Sequence, residues 1–117
     1  CPVTTGGGAG KLCLVSYQND RGLPRYSSDE VYVMSGISLD ADFPAPHFAL
    51  TRVSAQPVHR GSECRETPPC TRSLLDFFEV AIHPDGSAIV AFAEDMWPVP
   101  RITIDFAKMS SGPNLLT

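Results

Sequence analysis

Basic side chains are scarce in this chain: nine lysines and arginines stand against thirteen acidic residues, for a formal net charge of −4. With a pI near 5.2, that balance speaks against nucleic acid, which calls for a basic face. Long apolar runs are missing as well. None approaches the roughly 20 residues a helix needs to cross a bilayer, so no membrane span is expected, and no signal-peptide pattern is read. There is no CxxC pair, and His47, His59 and His83 are scattered, which disfavours a zinc site. Room for long helices is also lacking, because eleven prolines and nine glycines punctuate only 117 residues. That density favours an all-β architecture in one small domain. A hydrophobic content of 43% against 19% charged residues excludes a disordered composition.

What is present centres on residues 74–95, LLDFFEVAIHPDGSAIVAFAED. In the first half Phe77, Glu79, Ala81 and His83 alternate with Phe78, Val80 and Ile82, the two-residue period of a strand with unlike faces. The second half, Ala88 to Ala93, is apolar at every position and predicts a strand buried on both sides. Pro84, Asp85 and Gly86 between them supply a preset φ, a turn-bonding carboxylate and a residue tolerant of positive φ. The segment predicts an antiparallel hairpin. A continuous helix would be broken at its middle by His-Pro-Asp-Gly.

Four further segments read as strands: 11–17, 30–39, 47–53 and 101–108. Gly36 in the second is expected to mark a bulge or a close approach. In the last, Ile102, Ile104 and Phe106 alternate with Thr103 and Asp105. About six strands in antiparallel sheets result, with residues 1–10 as a patternless lead-in, 54–73 as a long loop and 109–117 as a frayed tail. Residues 13–20 also echo residues 88–95, each an apolar strand running into an acidic rim, as repeated propeller blades would.

The four cysteines suggest two bridges. Cys64 and Cys70 bracket a polar, proline-rich loop, and Cys1 with Cys13 would pin the N-terminal segment. Free thiols in a reducing compartment are the alternative. Bridges would place the protein outside the cell or on its surface. Cys1 in first position also raises a lipidated cysteine followed by a Gly-rich tether, against the plainer reading of a cut end.

Residues 72–80 (RSLLDFFEV), His83-Pro84-Asp85-Gly86 and Ile89 to Asp95, following a cysteine loop, resemble a segment of secreted sialidase-like (BNR-repeat) β-propeller proteins. Val15 to Arg21 and Asp29 to Val33 resemble the preceding blade. The resemblance covers about residues 11–97 and implies one to two propeller-like blades, 11–53 and 74–108. A closed propeller needs about four to eight blades, so six strands would be completed by other copies or by the remainder of a larger chain. The family's S-x-D-x-G-x-T-W box is absent, Trp97 stands alone, and neither the arginine triad nor the tyrosine–glutamate pair can be matched. No catalytic residue is carried over.

Candidate binding residues are therefore few. His59, Arg60, Arg72 and Trp97 could meet an acidic sugar or a partner carboxylate, arginine offering a bidentate fork. Asp20, Asp76 and Asp95 could give oxygen ligands to a hard cation, with calcium the one cofactor suggested. Solvated loop carboxylates are the plainer reading, and for Asp76 a bond to the neighbouring cysteine loop. Asp76 and Glu79 fall on opposite strand faces and cannot act as a paired acid and base. The functional expectation is a non-catalytic extracellular module that binds a glycan or a protein. A self-assembling subunit of a surface layer or filament, or a hydrolase fragment lacking its catalytic residues, are the alternatives.

Overall fold

The computed structural model describes residues 1–19, 30–60, 78–96 and 102–117. They form seven strands, β1 (Leu12–Asn19), β2 (Glu30–Ser38), β3 (Ala49–Arg52), β4 (His59–Arg60), β5 (Phe78–Ile82), β6 (Ala88–Glu94) and β7 (Thr103–Lys108). The architecture is all-β, in two antiparallel sheets of four and three strands. In the first, β2 pairs with β1 on one side and with β3 and β4 on the other. The second has the order β5-β6-β7. The short strand β4 has no counterpart in the sequence reading, since two residues offer no period to detect.

The hairpin forms where the sequence placed it. The His83 N–H donates to the Ser87 carbonyl over 2.8 Å and the Gly86 N–H to that of His83, with Gly86 at φ 86°. Asp85 accepts the Ser87 N–H at 3.0 Å, so the turn's donors are satisfied locally. β6, apolar at nearly every position, is the central strand of its sheet, with Ala88, Val90, Phe92 and Ala93 buried. Its echo β1, by contrast, lies at the end of the described strand order. The two segments do not hold equivalent places.

Register fixes the faces. Tyr17 opposite Val33 and Val15 opposite Ser35 belong to one face of the first sheet, together with Thr51 and Ala49. Val90 opposite Ala107 and Phe92 opposite Asp105 belong to one face of the second. These faces meet: Val33, Val58, Val90, Phe92 and Ala93 form one buried cluster, with Val15, Tyr17, Phe78 and Val80 packed around it. Burying each large side chain contributes about 1.5–3 kcal/mol. The sheets are tied across β1 and β5 by a perpendicular Tyr17–Phe78 ring pair, centroids 4.9 Å apart, and the Ala93 N–H donates to the Tyr17 hydroxyl over 3.2 Å.

Two expectations are corrected, and the two readings of Gly36 are resolved. Residues 1–10 carry structure: Gly6–Gly8 form a 3-10 turn, and Pro2 bridges to Leu12. The tail is docked rather than frayed. Leu115 is fully buried against Cys13 and Ala88, its N–H donates to the Gly86 carbonyl at 2.8 Å, and Lys11 Nζ reaches the Asn114 carbonyl at 2.9 Å. Two leucines after Pro-Asn, only the first of them buried, have no period to announce it. Gly36 makes no bulge, because pairing runs unbroken through it on both sides. It is a close approach instead, where an added Cβ would lie 2.9 Å from Leu14 and 3.0 Å from Leu50 side-chain atoms.

Candidate functional site: an outward apolar row and the polar rim beside it

β7 turns its apolar side away from the core. Register places Asp105 opposite Phe92, hence inward, so its neighbours Ile104 and Phe106, paired with Ala93 and Ala91, turn outward by strand alternation. Phe106 is 75% exposed, and Ile102 and Ile104 are each more than half exposed. The alanines beneath are too small to cover their neighbours. The same face carries Glu79 on β5 and Lys108 on β7, at opposite corners of the Glu79–Ala91–Phe106 and Ala81–Ile89–Lys108 rows. A second exposed apolar pair, Phe48 and Leu50, lies at β3. The radius of gyration is 15.7 Å, against about 13 Å for a compact chain of this length.

Alternation in residues 101–108 foretold unlike faces, but not which one points inward. The core-side Asp105 meets Glu94, one strand over. The hydrogen bond with Asp105, burial, and the charges of Asp105 and Asp95 all push the Glu94 carboxyl above its usual range.

The rim next to it contains two of the predicted binding residues and one predicted cation ligand. His59 is 3% exposed, and its Nδ1 lies 2.7 Å from Asp95 Oδ2. The Asp95 N–H donates to the Val58 carbonyl at 2.9 Å, which holds β4 against the end of β6. His59 thus serves inside the rim, not as a surface contact. Arg60 is exposed and pairs with Glu30 at 3.2 Å. Asp20, Arg72, Asp76, Trp97, Cys64 and Cys70 lie outside the described residues. Among the described residues no group of three or more His, Cys, Asp or Glu could hold a metal ion, and no helix is long and apolar enough to cross a membrane.

No family model, no curated protein and no solved structure matches the chain.

Cys1 and Cys13 stand opposite one another. Their backbones exchange two bonds, Cys1 N to Cys13 O at 2.9 Å and Cys13 N to Cys1 O at 3.1 Å, while both thiols are free. Such a pair sets Cα atoms about 5.5 Å apart, within disulfide range. Burial pushes the Cys13 thiol up, so it is a poor attacking group. Under mild oxidation, a non-reducing peptide map should show Cys1 crosslinked to Cys13. Recovery of both as alkylated thiols would refute the pairing.

At the hairpin, Asp85 collects Lys108, Ser87 and His83, which hold its carboxyl far below the ordinary range, Lys108 most strongly. Bonds from the His47 ring and backbone hold Asp40 at about 2. Both aspartates are depressed relative to the unfolded chain, so their contribution is present above pH about 4 and lost as pH falls towards 2. Glu94 has the opposite sign: its raised value favours the fold in acid and costs stability as pH rises through it. Urea midpoints should therefore drop between pH 4 and 2, less steeply in Asp40→Asn. Glu94→Gln should be more stable than the parent above pH 5, and an equal or lower midpoint there would contradict the Glu94–Asp105 pairing.

Proposed function

We propose that this protein is a non-catalytic, extracellular β-sheet module that acts through protein contact, and that its partner is a second copy of itself. The observation that supports this most is the outward apolar row of β7, since an exposed edge strand with Ile104 and Phe106 uncovered invites pairing and burial. Charge placement favours a second copy. A two-fold axis running obliquely across β6 would bring Glu79 of each copy beside the Lys108–Asp85 pair of the other, where it would share the Lys108 cation and flank the apolar row in an isologous contact. A protein fits this surface better than a glycan, because aliphatic side chains and one phenyl ring dominate it. The resemblance to sialidase-like propellers belongs to the same proposal, as stacked sheets in such proteins cover one another's faces.

Sedimentation velocity over a wide concentration range tests it. The parent should pass from monomer to dimer, and Phe106→Asp should weaken association by about 2 kcal/mol or more, roughly thirtyfold in Kd. A parent that stays monomeric throughout, or a Phe106→Asp protein that associates equally well, would overturn the proposal. Glu79→Lys should weaken the dimer through repulsion, with Lys108→Glu restoring part of the loss.

A further inference from the structure

The two sheets are drawn together along β1 and β5 but stand apart along β3 and β7, leaving a cleft of about 610 Å³ between their inner faces. Drug-sized ligands occupy pockets of about 300–1,000 Å³. Small side chains create the space: Ala49 and Thr51 from β3 face Ala88 and Ala107 from β6 and β7, where bulkier residues would have filled a core. Residues 109–113 wall one side. That stretch is pinned before and after, by the Met109 N–H on the Ala88 carbonyl at 2.8 Å and by buried Leu115.

The geometry points to a binding site for a neutral, largely apolar molecule carrying one hydroxyl or carbonyl group. Charge placement selects that chemistry. Among the described residues no acidic one lines the cleft, and both basic ones that do are engaged elsewhere. The Arg52 guanidinium lies over the Tyr32 ring, 3.7 Å from its centre, and Lys108 bonds Asp85. A carboxylate entering the cleft would lose its hydration without gaining a cation, a heavy cost. Hydroxyls are on offer instead. Thr51, Ser110 and Ser111 border the cleft and are exposed, while buried Ser35 donates to the Leu14 carbonyl. An apolar body between the alanines with its polar end at these serines matches the lining group for group.

Fluorescence titration with the neutral dye Nile red, followed by competition, is the test. Saturable one-to-one binding with a blue-shifted emission is expected, displaced by 1-dodecanol and roughly tenfold or more less effectively by dodecanoate. Two variants fill the cleft from opposite walls, Ala49→Phe and Ala107→Phe, both at edge strands that tolerate larger side chains. Either one, shown folded by circular dichroism, should weaken dye binding by about tenfold or more. Absence of saturable binding, equal displacement by dodecanoate, or unchanged affinity in both filled variants would overturn the inference. Phe106→Asp should leave dye binding intact, because Phe106 is on the opposite face of the sheet; loss of binding there would reassign the dye to the outward row. Failure of dimerisation would leave the cleft's result untouched.

Discussion

Leu115→Ala should lower stability by about 2–5 kcal/mol, as for other fully buried leucines. For a chain of this size that is a large share of total stability. The expectation is unusual for the third residue from the end of the described chain, and its reason is the contact set. Leu115 closes the smaller buried cluster with Cys13 and Ala88, so its removal opens a void beneath the hairpin and beside the N-terminal segment together. Gly86→Ala approaches the same junction from the other side. Its φ of 86° is left-handed, and a Cβ there would fall 2.1 Å from the Asn114 side-chain oxygen. Backbone strain alone costs about 1–2 kcal/mol, and displaced Asn114 would loosen the tail as well. Urea denaturation measures both. A Leu115→Ala midpoint equal to that of the parent would show the tail to be undocked.

Phe92→Ala should cost about 3–5 kcal/mol, the range for a buried phenylalanine. Phe92 is central to the inner face of the second sheet and joins Val33 of the first and Val58, just before β4, in one cluster. Its loss therefore weakens the packing of sheet on sheet, and both sheets should melt together at a lower temperature. Near-ultraviolet and far-ultraviolet circular dichroism should report coincident transitions. Separate transitions, or a melting temperature within error of the parent's, would contradict a shared core.

Much of the fold was readable before the structure, and the reasons can be traced to particular residues. Alternation at Phe78, Val80 and Ile82, with Glu79 and Ala81 outward, gave β5 its faces. The Pro-Asp-Gly corner gave the hairpin, and unbroken apolar sequence gave β6 its central position. Signals that depend on partners distant in sequence were not readable. The residues 101–108 alternate clearly, yet which side meets the core depends on register with β6, so the outward turn of Ile104 and Phe106 could not be foreseen. Leu115 lacks any neighbouring pattern. His59 and Asp95 were each singled out for separate roles, and only the pairing of β4 against the end of β6 brings them within 2.7 Å. The cleft is less visible still, because it arises from alanines on strands that are far apart in the chain.

Association through the outward row rests on the register of β7, and cysteine labelling along that strand probes it most directly. Single cysteines placed at Phe106 and at Ala107, in a protein whose Cys1, Cys13, Cys64 and Cys70 are serine, can be followed by mass spectrometry during reaction with an alkylating reagent. In dilute solution the cysteine at 106 should react rapidly and the one at 107 slowly; on concentration, the reaction at 106 should slow as a second copy covers it. Rapid reaction at 107 with protection of 106 at every dilution would shift the strand by one residue and bring the account down.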